Sequence, residues 1–397
     1  MKIAIDIRPI GQQRTGDEVY TLNLVQNLAK IDSENFYFLL TNTEDETKLR
    51  KIRERIFENN GIVPENFKIV SITPASKFLW TFFLLPFWIA KNNIDILHVQ
   101  YITPLFLTKK TKLITTIHDV SFDAHPEFIK KSDLFFLKTL IPLSFKRVNK
   151  VIAVSDFTKN EILKYHKISS EKIHTIHNGG AAEGFFKEYS EEQKNEISKK
   201  YALTNPFIFH IGTLQPRKNI PFLLKAYQLF QKEYAEKNPE ISNVHLCLTG
   251  NLEQHNFDEK IVTTLSQIER ETPEIFEKIK FLGFVDEEDL PIVLQMSEVA
   301  VSVSSYEGFG LPAIEAMASG VPLVSNDKSC LGEIVGGAAE FYDQNNQKDL
   351  AKRIFEVIMD KDLRGRVIQQ GKQRASYFNW KKCAQETLDL YNSLGNK

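Results

Sequence analysis

SSYEGFGLPAIEAMASG, residues Ser304–Gly320, is the stretch whose reading decides the rest of the chain. Residues 298–303 before it (EVAVSV) make an apolar run of strand length, and residues 321–324 after it (VPLV) make another. Pro312 suits the first turn of a helix, where its missing N–H would have no partner anyway. Residues 313–318 are good helix formers, and Gly320 makes a C-terminal stop. The order is therefore strand, glycine loop, short helix, strand. Such a loop and helix start offer unpaired N–H groups and the positive end of a dipole, a setting suited to phosphate. Two glutamates frame it, Glu307 in the loop and Glu315 in the first helical turn. Beside a phosphate an acid repels, so these two need another task, and carboxylates are good acceptors for sugar hydroxyls. Taken alone, each glutamate is explained as well by simple complementation of the helix dipole.

Taken together, glutamate, seven residues and glutamate around Gly-Phe-Gly-Leu-Pro resemble the retaining glycosyltransferases of family 4. The resemblance implies an α/β chain of the GT-B type, two doubly wound Rossmann-like domains facing across a cleft. It also implies transfer of a hexose from a nucleoside-diphosphate sugar.

A length of 397 residues fits two or three domains, and 42% hydrophobic with 25% charged residues fits large cores. The net charge of −1 supplies no global basic field, so nucleic acid is not an expected partner. Cys247, Cys330 and Cys383 are odd in number and lack metal spacing, as expected of reduced thiols in a cytoplasmic protein. The start, MKIAIDIRPI, sets Asp6 and Arg8 inside the first apolar run, unlike a signal peptide. Residues 78–90 (FLWTFFLLPFWIA) are very apolar but too short to span a bilayer, and Pro86 interrupts them. A buried helix is the favoured reading; the alternative is a helix on a membrane surface with Trp80 and Trp88 at the interface. Residues 128–150 are basic, either a solvated helix face or a weak contact with anionic lipid. At most peripheral contact with the inner face of a membrane is expected.

In the first half, a short strand at 2–7, a loop at 11–16 (GQQRTG) and a helix over 19–28 open a parallel doubly wound domain. The dinucleotide fingerprint is absent, which argues against a dehydrogenase. Further strands are expected at 36–40, 67–72, 95–99, 112–117, 150–154 and 172–176. Ligands then belong beyond the strands' carboxyl ends, where His98 and the pair His118-Asp119 fall. A lone histidine there is more often structural. His118 resembles the family's HD histidine, near the transferred sugar, and Gly16 lies at the family's first glycine loop. Ser155 is a candidate cap for a helix over 157–165. Asn178-Gly179 is a turn signal.

Residues 1–181 are read as the acceptor-binding domain, 182–205 as a connection, 206–375 as the nucleotide-sugar domain and 376–397 as a terminal helix. The resemblance implies that this helix crosses back to the first domain. The second domain starts with a strand at 207–211, then GTLQPRKN, residues 212–219, with Asn219 or Thr213 as a helix cap. A glycine turn lets backbone approach an anion, and Arg217 with Lys218 can neutralise a diphosphate. A solvated basic turn is the plain alternative. By the resemblance Gly212, Thr213, Arg217, Lys218 and the loop Gly308, Phe309, Gly310, Leu311 hold the diphosphate. Phe284 and Val285 lie near the base, Glu315 takes the ribose hydroxyls and Glu307 meets the sugar. His118, Glu307, Arg217 and Lys218 are the expected catalytic groups. The donor is expected to be GDP-mannose or a UDP-hexose, with mannose preferred, and the acceptor a glycan or a lipid-linked glycan. No metal is expected, since the two cations and a helix dipole can do a metal's work. An epimerase, a phosphorylase, a glycoside hydrolase and a non-catalytic sugar-nucleotide sensor are the competing readings.

Overall fold

The apolar runs of the first half assemble into one parallel sheet. The computed structural model describes residues 1–11, 15–57, 61–73, 76–251 and 256–395. Its first sheet contains β1 (Lys2–Asp6), β2 (Phe36–Thr41), β3 (Phe67–Ser71), β4 (Ile96–Gln100), β5 (Lys112–Ile117), β6 (Lys150–Ala153) and β7 (Ile173–Thr175). Their order is β3-β2-β1-β4-β5-β6-β7, and every pairing is parallel. A parallel sheet covered on both faces needs continuous apolar strands, and β5 buries every residue after Lys112. Growth of the sheet reverses at β1 and β4, so a crevice opens at their carboxyl ends. The helix after β1 runs over Gly16–Ile31, because Thr15 caps it by accepting from the N–H of Glu18 at 3.3 Å. Gly16 is thus helical and not part of a loop; residues 12–14 of the expected glycine loop lie outside the described residues. Ser155 does cap the helix Asp156–Tyr165, accepting from the N–H of Thr158.

The second sheet contains β8 (Phe207–His210), β9 (His245–Leu248), β10 (Ile279–Phe281), β11 (Val299–Ser302), β12 (Leu323–Ser325) and β13 (Glu340–Phe341). Its order is β10-β9-β8-β11-β12-β13, again all parallel. The reversal now lies at β8 and β11, strands that leave directly into GTLQPRKN and SSYEGFG. Helices Ile220–Glu233 and Gln347–Met359 pack together over this sheet, burying Tyr227, Phe230, Leu350 and Ile354.

The chain divides into Met1–Gly179 with Asn379–Lys397, and Gly180–Phe378. The stretch 182–205 is not a free connection but part of the second unit. Its helix Glu191–Lys200 carries a Ser190–Gln193 capping box and ends in Lys200, which bridges Asp286 at 2.7 Å and Asp289 at 2.6 Å. The last helix, Trp380–Gly395, packs on Gly16–Ile31. A Cβ on Gly179 would lie 2.1 Å from Trp380 Cγ, so the Asn-Gly turn also has a packing reason.

Residues 80–91 form a π-helical turn, Trp80–Leu84, that runs into the helix Leu85–Lys91. Both tryptophans expected at an interface turn inward instead. Trp80 is fully buried with the Arg8 guanidinium 3.6 Å from its ring centroid, and Trp88 packs edge-on against Phe38. Among the described residues no helix is long and apolar enough to cross a membrane. The three cysteines are free and buried.

Candidate active site

The carboxyl ends of β8 and β11 bring the two marked loops together. Pro216–Lys218 forms a single tight turn, after which Asn219 takes a left-handed conformation (φ 54°). Asn219 stands at the start of the helix Ile220–Glu233, but its side chain does not cap it, and neither does Thr213. The turn aims Arg217 and Lys218 at the loop after β11. Glu307 receives both: Oε1 accepts from Lys218 Nζ at 2.5 Å and Oε2 from Arg217 Nη1 at 2.8 Å. The backbone N–H of Ser305 donates to the Arg217 carbonyl at 2.8 Å, and that of Glu307 to Ser329 Oγ at 3.2 Å. Lys218 is only 5% exposed and Glu307 8%, so this is an internal ion network, with Arg217 at its more open side. Burial alone would raise the Glu307 carboxyl. The charges of Arg217 and Lys218 outweigh it and hold the group at about 2. Burial pulls the Lys218 ammonium down, and Glu307 opposes that.

Around this network two buried polar atoms have no hydrogen-bond partner among the described residues, Thr213 Oγ1 and His210 Nε2. His210 ends β8, and its Nδ1–H donates to the Val301 carbonyl at 2.8 Å. Burial holds its imidazole at about 4, so it is neutral at pH 7. A Cβ on Gly212 would lie 3.3 Å from that Nε2, so glycine keeps the approach open. The Gly212 N–H donates to Thr249 Oγ1 at 2.8 Å. Gly250 (φ 114°) then pairs with Gly283, and the turn carrying exposed Phe284 and buried Val285 is tied to the same end of the sheet.

Gly310 (φ 80°) starts the helix Leu311–Ala318, where a Cβ would come within 2.8 Å of Leu331 Cδ2. No side chain caps this helix, so its first N–H groups are not taken by one. Phe309 faces inward and meets Phe378 edge-on, leaving only backbone for a ligand. Glu315 is the fifth residue of the helix and not in its first turn; it is buried. The onset of the helix at Leu311, one residue before Pro312, moves it there.

In the first unit, His118 follows β5, beside the β1–β4 reversal. His118 Nε2 lies 2.9 Å from Gln100 Oε1. The Gln100 amide nitrogen donates to the Asp17 carbonyl (3.3 Å) and to Thr21 Oγ1, so its oxygen must face the histidine. His118 Nε2 therefore carries the proton and Nδ1 is left as the acceptor. Burial lowers the His118 pKa, against the opposing charges of Asp17 and Asp119. Tyr20 packs edge-on against the ring at 5.0 Å. Asp119 does not pair with His118; it accepts from the Ser121 N–H. His98 is structural, held between Tyr391 OH (2.6 Å) and Thr116 Oγ1 (2.8 Å). Gly16 begins its helix with open space where a Cβ would be. Gln100 and His210 carried no motif; only their places at the ends of β4 and β8 marked them.

Residues 192–374 match the family described as Glycosyl transferases group 1, and residues 14–180 match Glycosyltransferase Family 4. The chain is 31% identical over 284 residues to O-antigen chain mannosyltransferase B of Escherichia coli, covering 71% of each. This chain belongs to glycosyltransferase family 4. It is 23% identical to O-antigen chain mannosyltransferase RfbU of Salmonella typhimurium over 89% of this chain and 90% of that one. The structure of Anabaena HepE in complex with UDP and glucose superposes with a TM-score of 0.72 at 18% identity, covering 99% and 100% of the two chains. The fold of this family 4 member is thus GT-B, and the enzyme is a hexosyltransferase. Arg217, Lys218, Glu307 and Glu315 fall in the group 1 match, and Gly16 and His118 in the other.

Proposed function

We propose that this hexosyltransferase moves a mannosyl residue from GDP-mannose to a glycan or lipid-linked acceptor, with retention at the anomeric carbon and without a metal. The names of two relatives, both O-antigen chain mannosyltransferases, support mannose and a growing polysaccharide. One observation carries the donor site: the Lys218–Glu307–Arg217 network at the β8–β11 reversal, beside the uncapped start of Leu311–Ala318.

In this reading the diphosphate meets Arg217, the backbone of Gly308 to Leu311, and the Thr213 hydroxyl, which has no partner among the described residues. Lys218 supplies charge from beneath. Negative charge grows on the departing diphosphate in the transition state, so these groups speed the reaction as well as bind. Two fixed cations supply the positive charge that a metal would otherwise bring. Phe284 and Val285 border the base, and Glu315 accepts from the ribose. Glu307, held at about 2 between two cations, is a weak nucleophile, which favours front-face attack over a covalent glycosyl-enzyme. Glu307 instead orients the sugar and keeps the cations in place. His118 Nδ1 accepts from a sugar hydroxyl and helps to orient the reacting carbon, and Gly16 leaves room for the approach.

The test is slow hydrolysis of GDP-mannose without acceptor, followed by proton NMR in EDTA. Release of GDP with α-mannose formed first is expected. No release from GDP-mannose, or release that needs magnesium, overturns the donor or the metal part of the reading. Release from UDP-glucose alone replaces mannose with glucose.

A further inference from the structure

Three segments of the first unit share one face of its sheet. Residues 77–91 cross from β3 to β4 and the helix Lys131–Arg147 crosses from β5 to β6, both in the same direction along the sheet. Right-handed crossovers place both on the same side. Residues 101–111, from β4 to β5, lie between them. All three close the same core, with Trp80 and Ile89 from the first, Ile102 from the second and Phe145 from the third. The Thr103 N–H donates to Ser144 Oγ at 3.0 Å and fastens the second segment to the third.

Their outward side is unusual. Of the fifteen exposed large hydrophobic residues described in the chain, eight lie in these segments. Phe83 and Phe87 stand out from the first, the latter 70% exposed, Phe106 from the second, and Phe135 with Phe136 from the third. The charge is as uneven. Residues 77–91, 101–112 and 129–147 contain ten lysines and arginines and a single acid, Asp133, in a chain whose net charge is −1. Lys130, Lys138, Lys146 and Arg147 are exposed among the phenylalanines.

We propose that this face docks on an anionic lipid bilayer, with the phenylalanines at the headgroup–acyl boundary and the cations on lipid phosphates. A surface built of aromatic side chains between long cations, almost without acids, fits a layer whose outside is anionic and whose inside is apolar. The phenylalanines, not the inward-turned Trp80 and Trp88, would make the insertion. The docking needs no assumption about donor or acceptor, so it can fail while the transferase reading stands.

The experiment is flotation of the full chain with phosphatidylcholine vesicles containing a quarter phosphatidylglycerol, against pure phosphatidylcholine, at low and high salt. Flotation with the anionic vesicles at low salt, weakened by high salt, is expected. The triple variant Lys138→Glu, Lys146→Glu, Arg147→Glu should lose about a hundredfold in partitioning, at roughly fivefold per cation. Phe83→Ser with Phe87→Ser should lose roughly tenfold. Unchanged melting temperatures confirm that the variants fold. Where they do not, the wild-type chain's preference for anionic over pure phosphatidylcholine vesicles, weakened by high salt, replaces them. No flotation at low salt, equal flotation with both kinds of vesicle, variants that float like wild type, or self-association of the free chain abolished by the phenylalanine variant would each overturn the proposal.

Discussion

Glu307 lies between Lys218 and Arg217, 2.5 Å from the ammonium and 2.8 Å from the guanidinium. Read separately, the cations belonged to a diphosphate and the glutamate to a sugar. The fold joins them into one internal triad, in which each charge holds the others in place. Removing one member of such a triad leaves an uncompensated internal charge, which lowers stability.

Glu307→Gln is expected to lower stability by roughly 3 kcal/mol, because buried Lys218 and half-buried Arg217 lose their counter-charge. Turnover should fall by about a hundredfold or more. Binding of a nucleoside diphosphate should persist or tighten, since phosphate supplies the missing negative charge. Urea unfolding with and without GDP, beside initial rates, checks all three. A variant with wild-type rate and stability would discredit the triad.

Gln100 sets the protonation of His118, and its replacement by glutamate puts a carboxylate where a neutral oxygen now stands. The His118 pKa should rise, because an added carboxylate favours the imidazolium. Protonation removes the Nδ1 acceptor, so the acid limb of the rate profile moves to higher pH. Gln100→Leu should lower kcat without moving that limb upward. A pH–rate profile that neither change disturbs would remove His118 from the reaction.

Two buried histidines make stability depend on pH. Burial holds His98 at about 3 and His210 at about 4. Below their ordinary value, about 6.5, the unfolded chain binds protons that the folded chain refuses, so stability falls as pH falls. At about pH 5 each contributes a loss of about 2 kcal/mol. Glu307 adds to the loss only below its own ordinary value, as pH falls toward 2. Melting temperature should therefore decline steadily below about pH 6.5. A flat melting temperature down to about pH 5 would contradict the burial of both rings.

Gly179→Ala should release the terminal helix, because the new Cβ would fall 2.1 Å from Trp380 Cγ. A loss of at least about 2 kcal/mol is expected, with faster hydrogen exchange over Trp380–Gly395. Unchanged exchange there would show that the seat is not tight.

Much of this was legible before any coordinates. Continuous apolar runs such as LITTI marked parallel strands, and every expected strand is present within two residues at each end. EGFGLPAIEAMASG marked the loop and helix after β11, because glycine and proline at fixed places leave few backbone choices. What could not be read were relations between distant residues. Nothing local tells that Lys218 pairs with Glu307, or that Gln100 faces His118, since each pair is joined only by neighbouring strands. The helix register was missed where a cap lay upstream of the apolar pattern, as Thr15 does. Glu315 moved to the second turn for a similar reason, its helix starting before the proline. In residues 78–90, hydrophobicity alone could not say which aromatics turn inward, because both faces are apolar and only the packing of Trp80 under Arg8 decides.

The central claim, a nucleotide-sugar donor held by the triad at the β8–β11 reversal, is tested most directly by calorimetric titration of GDP into the wild-type chain and Arg217→Ala, both in EDTA. The account predicts metal-free binding to the wild type, weakened at least about tenfold in the variant, since a charged hydrogen bond to phosphate is worth roughly 1.5–3 kcal/mol. Equal affinity in the two proteins, or no binding of GDP, UDP or their sugars to the wild type, would contradict it.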